Sequence, residues 1–252
     1  MKVRIEDLAF DYEDFRLEVG PLVFPGAQVT SIVGPNGAGK STFLKCLASV
    51  LPVPARSIFI DGRDLAALRG RERARLVAYV PQEPSFIFNY AVLDFVLTGR
   101  AAFLPAFGVP SAHDVALAEE ALRYVGLERR LRRPFLELSS GERRLVLIAR
   151  ALAQGSDVLL LDEPTSFLDP RHEVETMALC RRLADERGKT VIVTLHNLEM
   201  AVRTSDVMVF MKNGRVVASG PPRRTLSEPL LRDVYDLDMR IVECGGQVFF
   251  TK

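Results

Sequence analysis

Cysteine is scarce in this 252-residue sequence: Cys46, Cys180 and Cys244 are odd in number, widely spaced and without a C-x-x-C pair. That pattern argues against a disulfide framework or a zinc site and fits a reducing cytoplasm. An excess of charge is also missing. A formal net charge of +1 gives no global field that would select nucleic acid. The local cluster Arg129, Arg130, Arg132 and Arg133 reads as a solvated helix end, or else as a surface for lipid headgroups or an acidic partner. Long apolar runs are absent too. The richest, residues 86–97, carries Asn89 and Asp94 and is too short to span a bilayer. Lys2, Arg4, Glu6 and Asp7 interrupt the start of the chain, so no signal peptide is expected. Internal repeats and low-complexity tracts are lacking, which leaves out solenoids and disordered linkers.

What is present is the material of an α/β fold. The chain is 48% hydrophobic and 26% charged, enough for one large domain or a domain with a subdomain. Strands are expected over residues 3–10, 28–33, 57–60, 77–80, 158–161 and 190–194. Val158-Leu159-Leu160-Leu161 and Val191-Ile192-Val193 are apolar without alternation, as parallel strands covered on both faces should be. Residues 207–211 and 215–218 flank Asn213-Gly214 and read as a hairpin. Residues 111–125 read as an amphipathic helix capped near Ser111, and with residues 127–138 they form a mostly helical insert. Cys244-Gly245-Gly246-Gln247 reads as a turn between two short strands.

The sharpest motif is Gly34-Pro35-Asn36-Gly37-Ala38-Gly39-Lys40-Ser41, set between the apolar run 28–33 and a helix-compatible run starting at Thr42. Strand, glycine-rich turn and helix are the context in which G-x-x-x-x-G-K-[ST] binds phosphates. Gly37 and Gly39 let successive N–H groups approach the oxygens of a di- or triphosphate, at the positive end of the following helix. Lys40 would reach the β/γ-phosphates, and the Ser41 hydroxyl would ligate Mg²⁺. The expectation is a nucleoside triphosphate site.

A second element supplies acids. The strand at 158–161 runs directly into Asp162 and Glu163. A strand buried on both faces delivers such residues to the carboxyl edge of the sheet, where ligands bind in open α/β folds. Asp162 is then placed to hold Mg²⁺, and Glu163 to polarise a water for in-line attack on the γ-phosphate.

Five further patterns follow the order of one family. They are Phe10-Asp11-Tyr12, Val80-Pro81-Gln82-Glu83, Leu138-Ser139-Ser140-Gly141-Glu142 and, after Asp162-Glu163-Pro164-Thr165, the run Ser166-Phe167-Leu168-Asp169 with Thr194-Leu195-His196-Asn197 beyond it. From the N-terminus to about residue 240 the chain resembles the ATP-binding-cassette ATPases. The resemblance implies a P-loop NTPase core with a parallel sheet, an N-terminal antiparallel β layer and a helical subdomain, here over residues 84–155 of a single 1–252 domain. It implies that Tyr12 stacks on adenine, though Phe10 or Phe15 could compete. It implies that Gln82 links Mg²⁺ and the attacking water to a transport partner, and that Ser139 and Gly141 form the signature, which precedes a helix expected over Glu142 to Ala153 with Leu145, Ile148, Ala149 and Leu152 on one face. Asp169 would belong to the D-loop, and His196 would be the switch histidine rather than a structural one. ATP and Mg²⁺ are the implied cofactors.

In that family the signature of one subunit closes on the phosphate loop of another, in a head-to-tail dimer. This chain departs from the usual pattern at Ser140, Glu142, Phe167 and Asn197, none of them a catalytic group.

The interval from phosphate loop to signature is about a hundred residues without sustained heptads, unlike a genome-maintenance ATPase. One copy of each motif is unlike a tandem translation-associated protein, and a plain P-loop kinase has no signature. The remaining class is the importer ATPase, a second copy of itself and a transmembrane permease being its partners and a substrate-binding protein an indirect one. No nucleic-acid partner is expected, and the location would be the cytoplasmic face of the membrane.

Asp94-Phe95-Val96-Leu97-Thr98-Gly99-Arg100, Phe107-Gly108-Val109-Pro110-Ser111 and the run from Leu145 to Gln154 resemble the branch that imports ferric siderophores, haem or cobalamin. Molybdate or tungstate is the alternative cargo. Phe86, Ile87, Phe88 and Tyr90 would rim a groove for a permease helix, or pack in the core.

Overall fold

The computed structural model describes residues 2–12, 14–82, 89–105 and 108–251. Strands come first along the chain: β1 (Val3–Ile5), β2 (Leu8–Tyr12), β3 (Phe15–Val19), β4 (Leu22–Phe24) and β5 (Val29–Val33). The phosphate loop then leads into α1 (Lys40–Leu47). Next come β6 (Ile58–Ile60), β7 (Arg63–Asp64), α2 (Gly70–Leu76) and β8 (Val77–Val80). The helical part holds α3 (Val92–Leu97), α4 (Ala112–Tyr124) and α5 (Ser140–Ala153). The chain returns to the sheet through β9 (Val158–Leu161), α6 (Pro170–Arg187), β10 (Thr190–Thr194) and α7 (Leu198–Thr204). It ends with β11 (Val207–Lys212), β12 (Arg215–Gly220), α8 (Pro222–Thr225), α9 (Glu228–Tyr235), β13 (Arg240–Cys244) and β14 (Gln247–Thr251).

The large sheet has eight strands in the order β2-β3-β12-β11-β5-β10-β9-β8. From β11 to β8 the pairings are parallel, and β12 and β2 turn antiparallel to their neighbours β11 and β3. The absence of polar alternation in the central strands has a direct cause, since both faces are covered. Val29, Leu159, Val191 and Phe210 pack into one core with the helical part, while Ile32, Leu160, Ile192 and Val209 pack into another with α1 and the small sheet. Alternate side chains thus face two different cores, and every residue of β5, β9 and β10 is buried.

Three expectations are corrected. The single strand expected over residues 3–10 is two strands in two sheets. β1 pairs with β4 and β6 in an antiparallel four-stranded layer, whereas β2 pairs with β3 on the edge of the large sheet. The exposed pair Glu6 and Asp7 marks the crossing. Residues 127–138 are turns with one short 3₁₀ segment, Phe135–Glu137, rather than helix. Pro134 has no amide hydrogen to continue a helix there, and the Phe135 amide instead donates to the Tyr90 carbonyl (2.9 Å). The signature helix starts at Ser140, not Glu142, and is buried on more than the expected face. Arg144, Val146, Leu147, Ala151 and Ala153 are buried alongside Ile148 and Ala149 because α5 packs against α3, α4 and β8.

Other elements follow the sequence closely. Ser111 caps α4, and the Asn213-Gly214 hairpin and the Cys244–Gln247 turn are in place. Phe86, Ile87, Phe88, Glu83 and Phe107 lie outside the described residues, as does the start of the helical part expected from residue 84. Tyr90 is described, and it is exposed.

Candidate active site

The phosphate loop leaves β5 at Gly34, and its backbone curls through positive φ at Gly37 (77°) and Gly39 (95°). Gly39 caps α1, and its carbonyl accepts from the Phe43 amide at 2.8 Å. No larger residue fits at Gly39, because a Cβ there would lie 2.5 Å from the Phe15 ring. The loop floors a cleft of about 370 Å³ lined by Tyr12, Phe15, the run from Asn36 to Thr42 and Glu163.

The Lys40 ammonium is buried and donates to the Gly34 and Pro35 carbonyls at 2.8 and 3.0 Å. Burial pulls its pKa down, and the nearby charges of Glu163 and Asp162 oppose that shift. Of the three aromatics considered for the base, Tyr12 and Phe15 line the cleft, with Tyr12 58% exposed, and Phe10 packs against the core beneath the small sheet.

Asp162 and Glu163 emerge from β9 at the carboxyl edge of the sheet. The Asp162 amide extends the ladder by donating to the Val80 carbonyl (2.9 Å). Asp162 is 2% exposed and accepts from Ser41 Oγ (2.9 Å), Thr194 Oγ1 (2.8 Å) and Tyr79 OH (3.1 Å). Burial, with the Asp162 charge adding to it, pushes the Tyr79 phenol well above its usual range, so it stays a neutral donor.

Glu163 has a left-handed backbone, φ 45°, which costs a non-glycine residue of order 1 kcal/mol. Its amide donates to Thr194 Oγ1 at 2.8 Å. Its carboxylate meets Gln82 Nε2 (2.5 Å) and Ser166 Oγ (2.8 Å), and its other oxygen meets His196 Nε2. A turn that aims one carboxylate at three polar groups from three loops is strain held in place by its surroundings.

Tyr79, Thr194, Ser166 and Arg144 were not singled out by the motifs. Tyr79 is the penultimate residue of β8 and Thr194 the last of β10, the two strands flanking β9, so parallel neighbours of an acidic strand end were the available signal. Nothing in the sequence marked Arg144.

The donors around Asp162 fit Mg²⁺. The Asp162 carboxylate and the Ser41 hydroxyl, 2.9 Å apart, are hard oxygen ligands, and Mg²⁺ takes one or two such protein groups with phosphates and water. No cluster of three or more His, Cys, Asp or Glu that could hold a metal occurs among the described residues.

The signature does not line the cleft. Ser139 caps α5: its Oγ accepts from the Glu142 amide (3.2 Å), and its own amide donates to Glu142 Oε2 (3.0 Å). The departure at Glu142 thus forms a capping box that Arg130 braces at 3.0 Å. The hydrogen bond from the Ser139 amide is the main cause of its lowered pKa. Ser140 points to solvent, whereas Gly141 is buried. A Cβ at Gly141 would fall 2.6 Å from the His172 ring, so a side chain at 141 must displace that ring, whereas Ser140 is exposed. Asp169 caps α6 through the His172 amide (3.1 Å) and holds His172 Nδ1 at 2.6 Å. Phe167, in the same loop, is 77% exposed.

The geometry therefore brings Tyr12, the phosphate loop, Gln82, Asp162, Glu163 and His196 together. Ser139, Gly141 and Asp169 do not line the cleft. A family model for the ABC transporter matches residues 22–166. The chain belongs to the ABC transporter family.

Among curated relatives, the iron(3+)-hydroxamate import ATP-binding protein FhuC of Bacillus subtilis is 34% identical over 218 residues, 86% of this chain and 81% of that protein. Among solved structures, a metal-chelate type ABC transporter in an inward-facing conformation superposes with a TM-score of 0.85 at 29% identity, covering 98% of this chain and 95% of its own. A dimeric cassette in a post-hydrolysis state, bound to ADP and Pi, superposes at 0.73 with 26% identity, covering 88% and 99%. This ABC chain is thus an ATP-binding, ATP-hydrolysing subunit. Among its described residues, no helix is long and apolar enough to cross a membrane.

Proposed function

We propose that this ABC ATPase powers an importer of metal chelates, with ferric siderophore, haem or cobalamin as cargo, from the cytoplasmic face of the membrane beside a separate permease. The relative that imports iron hydroxamate and the metal-chelate transporter support this cargo class. The observation that carries the mechanism is the split site, in which the phosphate loop and Glu163 line one cleft, Asp162 is bonded to Ser41 at its edge, and the signature lies outside it. A second copy, related head to tail, completes the site by bringing Ser139 and Gly141 to the γ-phosphate. The dimeric relative with ADP and Pi supports such an arrangement.

In this reading Lys40 exchanges its two carbonyl acceptors for the β- and γ-phosphates, and the loop amides hold the remaining oxygens. Tyr12 stacks on the base. Ser41, Asp162 and Gln82 would hold Mg²⁺, which supplies charge neutralisation across the phosphates. Glu163 orients and polarises the attacking water, taking its proton on the oxygen now shared with Gln82 and Ser166. His196 holds the other Glu163 oxygen and fixes the direction of the carboxylate.

The test is Glu163→Gln. Hydrolysis should fall at least about a hundredfold while ATP still binds. A wild-type rate removes Glu163 from the role. The cargo is tested separately, by purifying the intact membrane complex and identifying by mass spectrometry the chelate on its binding protein. A tetrahedral oxyanion there would refute the chelate reading.

A further inference from the structure

Arg144 has no part in the mechanism above, yet its position is unusual. It lies on α5, three residues beyond the signature Gly141, and is 6% exposed. Among the described residues its guanidinium has no carboxylate within ion-pair distance. Its hydrogen bonds go to the carbonyls of Pro81 (3.1 Å) and Gln82 (3.0 Å). Burying a cation against neutral carbonyls is costly, and desolvation lowers its pKa, with the fields of Asp162 and Glu163 opposing. A leucine or methionine would fill the same space without that cost.

The planar fork of arginine does something no apolar side chain can. It binds two consecutive carbonyls at once and so fixes the direction of the backbone on either side of the Gln82 amide nitrogen. The Gln82 side chain, in turn, donates to Glu163 Oε2 at 2.5 Å. The far end of α5 is anchored to the same stretch. Gln154 Nε2 donates to the Ala74 and Val77 carbonyls at 2.5 and 2.8 Å, at the other end of β8. The signature helix is therefore strapped along β8 at both ends, and the strap beside the signature closes on Gln82.

We propose that Arg144 is a positioning residue for hydrolysis. By clamping the Pro81 and Gln82 carbonyls it keeps the Gln82 side chain on Glu163, so that occupancy of the signature at the start of α5 is felt at the carboxylate that activates water. This rests on the roles given above to Gln82 and Glu163.

The test is a double-mutant cycle on the full chain, at concentrations where the wild type hydrolyses ATP. Arg144→Gln should lower kcat at least about tenfold, with KM for ATP changed less than about threefold. In a Gln82→Ala background the same substitution should cost less than about twofold, because its effect travels through Gln82. Arg144→Lys keeps the charge but loses the fork and should fall between the two. If Arg144→Gln does not fold, the lysine variant carries the same cycle.

A wild-type kcat in Arg144→Gln, losses that multiply with Gln82→Ala, or a rise in KM at constant kcat would each overturn the inference. Glu163→Gln, measured alongside, separates the two claims. If it remains active, the site reading fails. If it is inactive while Arg144→Gln is fully active, only the role of Arg144 fails.

Discussion

At the scale of the residue, the site is built from groups that lock one another. Thr194 Oγ1 is the pivot, since it donates to Asp162 and accepts from the Glu163 amide, setting both acids with one side chain. Lys40 and His196 act at opposite ends of the same chemistry, and their variants should separate. Lys40→Ala removes the only ammonium that lines the cleft among the described residues and should lose ATP binding, read as a rise in Kd of at least about tenfold. His196→Ala leaves every phosphate contact in place and should lower kcat about tenfold or more with little change in Kd. Isothermal titration and steady-state rates distinguish the two, and a binding loss in His196→Ala would reduce it to a structural residue.

The phosphate loop, Asp162 and Glu163 were legible because their chemistry needs fixed spacing along the chain. Thr194, Tyr79 and Arg144 were not, because what places them is adjacency between strands and a helix far apart in sequence.

Elements were legible where a periodic pattern had one cause. The apolar central strands are buried on both faces, and Ser111 is followed by the pattern of a capped helix. The pattern failed at residues 3–10, where the polar pair Glu6-Asp7 breaks the alternation and the chain changes sheets, and at 127–138, where apolar residues pack as turns.

The helical elements also hold a buried pair that no motif announces. Arg100 Nε donates to Asp114 Oδ1 at 2.9 Å, both side chains being 9% exposed, and Arg100 also reaches the Ala153 carbonyl at 2.9 Å. The pair joins α4 to the end of the signature helix. The Ser111 hydroxyl first, and the Arg100 guanidinium second, hold the Asp114 carboxyl far below its usual 3.8. A depressed folded-state pKa contributes stability that is fully present above 3.8 and is lost as pH falls from there toward the folded value. Asp114→Asn should therefore melt a few degrees below the wild type at about pH 7, and the gap should narrow below about pH 3. Melting curves at both pH values check this, and an equal gap at both would contradict it.

At the scale of the whole molecule, the two halves of the chemistry face different ways. The signature is shaped in detail, with a capping box at Ser139 and Glu142 and a glycine seated on the His172 ring, yet it does not line the cleft. In the proposed reading a second copy completes the site, with ATP as part of the interface. The most direct measurement is sedimentation of the full-chain Glu163→Gln variant with and without MgATP, beside the same variant carrying Gly141→Asp. The account predicts an ATP-dependent dimer for the first, and for the second a monomer that still binds ATP, because a carboxylate at 141 opposes the partner's γ-phosphate. A Glu163→Gln chain that binds MgATP and stays monomeric, or a Gly141→Asp chain that dimerises equally well, would contradict it.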